Sequence, residues 1–371
     1  MRVLMFSQDP EVLMEGSDVH ARLRDYARVL GELYVIVQAQ ESRRTSASGG
    51  LFLYPVVPRG VSGLLRAWRI GAMLCRRRSF DVISVQGPGL FGCIGFLLSR
   101  RFRVPFQLQL HTDYMSPRYR RAGWKERIQY GLVRLLIPRA DCIRAVSERI
   151  RRSLAVPAAA LPIFTDVQQF LDVRADPDTE RRFAGFDFKM IAVGRLVDKE
   201  KNFTLLIDVM RLFARIHPQA LLVIAGEGPD RERYALCVAR YGLQKNVILE
   251  PWRRDLPSFY KAFDLFLLSS NYEGWGRAVI EAMASGLPAV MTDVGLAGEV
   301  VKNGESGIVV PVGDTQAFFR AVQTLYENPE KRLQIARVGQ ETAKNLKPQT
   351  QKEYLSAWRA CFVSCHSKFQ N

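Results

Sequence analysis

The chain has 371 residues, 48% hydrophobic and 24% charged, which excludes collagen-like, low-complexity and wholly disordered proteins. That length suits two domains of about 150–200 residues better than one core. The formal charge is 53 − 37 = +16, and it is uneven: residues 1–175 carry 27 basic against 14 acidic residues (+13), the remainder 26 against 23 (+3). The first half is therefore expected to face something anionic, either a membrane surface or a nucleic acid.

The six cysteines (Cys75, Cys93, Cys142, Cys237, Cys361 and Cys365) are scattered without a C-x-x-C, so free core thiols in a reducing compartment are expected. Only four histidines are present, and no zinc cluster is expected. The opening MRVLMFSQDP has too short an apolar run for a secretory signal. Residues 82–98 are the most apolar stretch, but Ser84, Gln86, Pro88 and several glycines make them a strand, a turn and a short helix rather than a membrane span.

In chain order, short apolar runs at 2–6, 33–37, 51–57, 81–85, 105–110 and 142–146 predict strands. Amphipathic segments lie between most of them, such as 19–30 with Leu23, Tyr26, Ala27 and Leu30 on one face. Residues 172–188 are polar and contain Pro and Gly, which predicts an exposed connection and a domain boundary near 175. A second series of runs follows at 190–193, 220–225, 247–249, 265–268, 289–292 and 307–310, with the continuous Val, Ile and Leu content of strands buried on both faces. Residues 351–363 place Tyr354, Leu355, Trp358 and Phe362 at helical spacing and predict a closing helix that packs back on the first domain. The predicted fold class is α/β: two Rossmann-like doubly wound parallel-sheet domains, 1–175 and 176–350, facing across a cleft. Ligands of such sheets lie beyond the carboxyl ends of the strands, so chemistry is sought there.

After the run at 190–193 come Gly194, Arg195 and Leu196, and then Lys201 as a helix begins. Two cations at a strand end, beside free helix N–H groups, make an anion site that fits a pyrophosphate. Lys199 is the rival for the second cation, and the alternative is a solvated DKEK charge run. After the run at 265–268 comes NYEGWGRAVIEAM, in which Gly274 and Gly276 permit close backbone approach and Arg277–Ala284 open a helix. Glu273 is expected at the loop tip and Glu281 about two turns along, among apolar neighbours. A carboxylate accepts two hydrogen bonds at once and suits paired sugar or ribose hydroxyls.

These segments resemble the retaining glycosyltransferases of family 4 (glycosyl transferases group 1), which have the GT-B fold. The resemblance rests on Glu273-x7-Glu281 within YEGWGRAVIEAMASGLPAV, on VGRLVDKEKNFTLLI, LVIAGEGPDRERY and MTDVGLAGEVVKNGESGIVVPVGD, and on ADCIRAVSERI in the first half. It implies that Arg195 and Lys201 hold the donor pyrophosphate, that Glu273 lies beside the donor sugar, and that Glu281 binds the ribose hydroxyls. It further implies that backbone N–H groups from Gly274, Trp275, Gly276, Arg277 and Ala278 hold sugar and phosphate. Trp252, after the strand at 247–249, either stacks on the base or packs in the core. Gly16 and Ser17 fall where the family has an acceptor or phosphate loop, and His111 where it places a residue near the reacting centre. Asp113 then orients His111 or turns the chain.

The implied activity is transfer of a sugar from a UDP- or GDP-sugar to a hydroxyl of a glycan or lipid-linked glycan, in cell-surface polysaccharide or lipopolysaccharide synthesis. No cofactor or metal is expected: the chain is expected to lack the Asp-x-Asp motif of metal-using transferases, and Arg195, Lys201 and helix amides can supply the countercharge. Arg118, Arg120, Arg121, Lys125 and Arg127 alternate with aromatic residues, which suits an anionic membrane surface; a solvated helix face is the alternative. The expected location is cytoplasmic, on the inner face of the membrane. Two other functions share parts of the pattern. A sugar-nucleotide epimerase would use the same two-domain cleft, and the pI near 9.8 permits nucleic-acid binding. The chain carries no nucleic-acid recognition motif, and no nucleic-acid partner is expected.

Overall fold

The computed structural model describes residues 1–39, 45–57 and 60–370. It divides into two units: Met1–Pro162 joined by the segment from Thr350 onward, and Ile163–Gln349.

The first unit holds one sheet built from β1 (Arg2–Ser7), β2 (Glu32–Gln38), β3 (Ser46–Ser48), β4 (Leu51–Val56), β5 (Val82–Gln86), β6 (Phe106–Leu110), β7 (Cys142–Ala145) and β8 (Ala159–Ala160). Their spatial order is β3-β4-β2-β1-β5-β6-β7-β8, parallel except for the edge pair β3–β4. β1 is central, and Val3 to Phe6 are essentially inaccessible, as an apolar run covered on both faces must be. The Asp18–Leu30 helix is capped by Ser17 and buries the four residues that the sequence places on one face.

The Gln351–Gln370 helix belongs to this unit. Trp358 stacks on Tyr26 with ring centroids 3.8 Å apart, and the Tyr354 and Tyr26 hydroxyls lie 2.8 Å apart. Beneath it, alternate strand positions carry polar groups. Arg144 donates to Gln109 Oε1 at 3.0 Å, to the Leu161 carbonyl at 3.0 Å and to the Tyr354 hydroxyl at 3.3 Å. Gln109 in turn donates to Ser84.

Cys365 lies on the same buried helix face as Trp358 and forms a disulfide with Cys142 of β7, their Cα atoms 5.6 Å apart. This corrects the expectation that all six thiols are free; Cys75, Cys93, Cys237 and Cys361 are. The partners are 223 residues apart, so only the packing of the closing helix brings them together.

The second unit holds β9 (Phe188–Val193), β10 (Ala220–Ala225), β11 (Val247–Glu250), β12 (Leu265–Leu268), β13 (Ala289–Thr292) and β14 (Ile308–Val310). The order is β11-β10-β9-β12-β13-β14, parallel throughout. From β9 the chain builds outward to β11, then returns to place β12 on the other side of β9. The order therefore reverses between β9 and β12. One face is sealed by Phe203, Leu206, Met210 and Phe213 from one helix and Phe318 and Val322 from another.

The boundary lies at 162/163 rather than 175/176. Phe170 is buried against Tyr260, ring centroids 6.2 Å apart, and Lys261 donates to the Leu171 carbonyl at 3.1 Å, which ties residues before 175 to the second unit. Nor is 172–188 a bare connection. Asp176 caps the Pro177–Arg182 helix, and Phe183 packs on Phe263. The solvent face of a short helix has the composition of a linker, which hid it. Residues 82–98 resolve into β5, a turn and the start of the Leu90–Phe102 helix. Among the described residues, no helix is long and apolar enough to cross a membrane.

Candidate functional site

The β9/β12 reversal is where an open α/β sheet leaves a crevice at its carboxyl edge. The loops after these two strands carry Arg195 and Lys201 on one side and Glu273 on the other. Residues Asp198–Lys201 form one helical turn, ended by Asn202 in the left-handed conformation (φ 51°), before the Phe203–Phe213 helix starts. That turn aims Lys201 inward.

Lys201 Nζ lies 2.5 Å from Glu273 Oε1 and 3.4 Å from Glu200 Oε1. Ser270 Oγ donates to the same Glu273 oxygen at 2.7 Å. Arg195 Nη2 donates to Glu200 Oε2 at 2.7 Å. One carboxylate, Glu200, thus bridges the two cations. Burial works against the Lys201 ammonium, but Glu273 and Glu200 outweigh it and its pKa is raised, so the charge persists at neutral pH.

The two loops are also joined through their backbones. Asn271 N–H donates to the Glu200 carbonyl, Asn271 Nδ2 to the Lys199 carbonyl and Ser269 Oγ to the Lys201 carbonyl. Glu273 is 9% exposed and points inward, which corrects its expected place at an open loop tip; its pairing with Lys201 draws it in.

Gly276, with φ 103°, turns the chain into the Arg277–Ala284 helix without a side-chain cap. The amides of Arg277 and Ala278 have no intramolecular acceptor among the described residues, so this N-terminus offers free donors. Trp275 buries its indole, whose Nε1 has no hydrogen-bond partner among the described residues. Its carbonyl accepts from Leu296 N–H, a contact that requires Gly295, where a Cβ would come within 2.4 Å of that oxygen. Glu281 is buried on the helix, takes Arg277 Nη2 at 3.0 Å, and helps burial push the Tyr260 phenol well above its ordinary pKa. Opposite Gly194, the backbone of Gly226 approaches so closely that a Cβ would fall within 1.9 Å of the Gly194 oxygen, fixing the far wall of the crevice.

Trp252 follows β11 and is 58% exposed, which removes the core-packing alternative. Beside it, Glu250 is buried and receives Arg182 and Arg253, each at 3.0 Å. The expectation that the chain lacks an Asp-x-Asp is corrected by one literal occurrence outside the site segments, Asp176–Asp178. Asp176 caps a helix and Asp178 pairs with Arg181. Among the described residues no group of three His, Cys, Asp or Glu side chains could hold a metal.

In the first unit the sheet order reverses between β1 and β5. Gly16 is exposed in the loop after β1, but Ser17 Oγ is committed to capping, accepting from His20 N–H at 3.0 Å and donating to the Glu11 carbonyl at 2.7 Å. His111 follows β6; its Nε2 is buried without a hydrogen-bond partner among the described residues. Burial, with Arg144 and Arg22 nearby, lowers its pKa to about 3, so the imidazole is neutral. Asp113 turns the chain, accepting from Ser116 N–H at 3.1 Å, and burial raises its pKa. Arg118, Arg120 and Arg121 lie in the Pro117–Arg121 segment, and Lys125 and Arg127 in the Trp124–Leu136 helix.

Glu200 and Ser270 were not singled out from the sequence. Glu200 was concealed in the DKEK charge run, although its place one residue before Lys201 was the available signal.

Residues 178–342 match the family model described as glycosyl transferases group 1, and residues 17–159 that of the glycosyl transferase 4-like domain. The alpha-D-kanosaminyltransferase of Streptomyces kanamyceticus is 28% identical over 76% of this chain and 81% of its own. An Escherichia coli UDP-Gal:alpha-D-GlcNAc-diphosphoundecaprenol alpha-1,3-galactosyltransferase is 27% identical over 44% of each chain. Among solved structures, Anabaena HepE in complex with UDP and glucose superposes with a TM-score of 0.75 at 20% identity, over 98% of this chain and 99% of its own, a likeness of fold.

Proposed function

The chain belongs to the group 1 glycosyltransferases, and on that premise we propose that it moves a sugar from a UDP- or GDP-sugar to a hydroxyl of a glycan or lipid-linked glycan, with retention at the anomeric carbon. A UDP donor is favoured by the HepE complex, and a lipid-linked acceptor by the E. coli relative's name. The product would be a cell-surface polysaccharide or lipopolysaccharide, made on the cytoplasmic side at an anionic membrane surface.

The observation that carries the proposal is the pair of cations bridged by Glu200 at the β9/β12 reversal, with Glu273 against one of them. An entering diphosphate replaces Glu200 on Arg195 and shares Lys201. Glu281 takes the ribose hydroxyls, Trp252 stacks on the base, and the amides of Arg277 and Ala278 receive phosphate or sugar oxygens. Glu273 lies beside the donor sugar.

As the bond from C1 to the diphosphate oxygen breaks, its electron pair leaves with the diphosphate. The acceptor oxygen bonds to C1 on the same face, and its proton passes to the departing diphosphate. Fixed donors aimed at that developing charge are each worth about 3–4 kcal/mol. The first unit takes the acceptor, with the loop at Gly16 and the neutral His111 near the reacting hydroxyl. The countercharge comes from the protein, without a metal.

The test is a thermal-shift screen against UDP, GDP, ADP and dTDP and their sugar conjugates, with and without EDTA. One selective upward shift that survives EDTA is expected. A flat screen would remove the nucleotide-sugar donor.

A further inference from the structure

The Trp124–Leu136 helix leaves one stripe uncovered. Trp124 is 69% exposed, Ile128 55% and Leu135 47%, with exposed Gly131 between them. The spacing i, i+4, i+7, i+11 places all four on one side of the helix. Arg127 and Arg134 border one edge and Lys125 the other, and all three are exposed. The helix has a single acidic residue, Glu126, and it is buried. Gly123 makes room for it: a Cβ there would come within 2.6 Å of Glu126 Oε2.

At the start of this stripe is a cavity of about 550 Å³ lined by Arg120, Arg121, Gly123, Trp124 and Arg127. Its walls are held in place. Tyr119 is buried edge-on against Tyr114, and its hydroxyl donates to Gln129 at 2.7 Å, locking the Pro117–Arg121 segment onto the longer helix. Arg120 and Arg134 both lie over the Tyr130 ring, at 5.7 and 5.9 Å from its centroid. Among the described residues no carboxylate pairs with Arg120, Arg121 or Arg127. Three guanidinium groups without a carboxylate partner around one cavity, beside an apolar stripe led by an exposed tryptophan, fit a ligand with a phosphate attached to hydrocarbon.

We propose that this cavity is a phosphate-headgroup site for a membrane lipid, and that the Trp124–Ile128–Leu135 stripe enters the bilayer interface around it. This deepens the membrane-surface part of the proposed function and rests on it. A second copy of the chain is a poorer occupant, because it would bring the cationic borders of two stripes together. The site also lies at the carboxyl edge of the first sheet, since its helix starts after β6 ends, whereas Arg76, Arg77 and Arg78 lie at the opposite edge, shortly before β5 begins.

The test is sedimentation of the full chain with phosphatidylcholine vesicles, with or without phosphatidylglycerol. Binding is expected only with phosphatidylglycerol. The triple variant Arg120→Ala, Arg121→Ala, Arg127→Ala should lose on the order of 100-fold in partitioning, at about fivefold for each basic residue near the lipid. Arg76→Ala, Arg77→Ala, Arg78→Ala removes the same charge elsewhere and should bind within about threefold of wild type. Phosphatidylglycerol vesicles should shift tryptophan emission to the blue in wild type but not in Trp124→Ala.

Equal losses in both triple variants would overturn the site, as would wild-type binding by the first. Uptake of inorganic pyrophosphate without vesicle binding would overturn the lipid. The nucleotide thermal shift of the same variants reports on the transferase separately, because none of these residues lies in the donor crevice.

Discussion

Lys201 Nζ meets Glu273 Oε1 at 2.5 Å, joining the loop after β9 to the loop after β12 across the reversal in strand order. Both side chains are largely withdrawn from water, and a buried ion pair adds little stability over an apolar pair of similar volume. Removing one partner, however, strands the other and costs about 3–5 kcal/mol. Lys201→Met should lower both the melting temperature and turnover, the latter by about two orders of magnitude or more. The double variant Lys201→Met, Glu273→Gln should regain melting temperature but not turnover. Recovery of both would make the pair structural.

Glu200 accepts from Arg195 at 2.7 Å, and under the proposed function it competes with the donor diphosphate for that guanidinium. Glu200→Gln should therefore bind the nucleoside diphosphate several-fold more tightly at low salt, as judged by calorimetry. Arg195→Ala should cost turnover by about two orders of magnitude. Near-normal activity of Arg195→Ala would transfer its role to Lys199 and Lys201.

Glu281 is buried beside Arg277 and Tyr260, and a carboxylate, which accepts two hydrogen bonds at once, suits a ribose diol. Hydrogen bonds to a charged group are worth about 1.5–3 kcal/mol, so Glu281→Ala should weaken nucleotide binding by about 10- to 100-fold. Wild type should discriminate against the 2′-deoxynucleotide and the variant should not. Unchanged affinity would take Glu281 out of the site.

His111 sets an acid limit on the first unit. Its native pKa of about 3 lies below the ordinary 6.5, so between those values the unfolded chain binds a proton that the native chain does not. Stability is then lost as pH falls through that window, by up to about 1.4 kcal/mol per unit. Asp113, raised by burial, acts in the opposite sense, which the comparison with a single variant removes. Melting temperatures from pH 7 to 4.5 should fall more steeply for wild type than for His111→Gln. Parallel curves would mean that His111 titrates normally.

Much of this was legible in sequence because strands buried on both faces are continuous apolar runs. The runs at 2–6, 220–225, 265–268 and 289–292 fall on β1, β10, β12 and β13. Arg195, Lys201, Glu273 and Glu281 are singled out in the sequence because strand ends direct attention to them. Their partners are not. The inward turn of Glu273 depends on Lys201, which is 72 residues away in sequence. The Cys142–Cys365 bond and the Arg144–Tyr354 contact depend on how the closing helix packs on β7, which no local pattern records. The boundary was misplaced because Phe170 packs forward onto Tyr260 from within a polar stretch.

The central claim is that Arg195 and Lys201 hold the donor diphosphate at the β9/β12 reversal. The most direct measurement is a calorimetric titration of the selected nucleoside diphosphate and its parent nucleoside into wild type and the Arg195→Ala, Lys201→Met double variant. Wild type should bind the diphosphate at least about 100-fold more tightly than the nucleoside, and the variant should bind the two alike. A variant that retains the wild-type preference for the diphosphate would contradict the account.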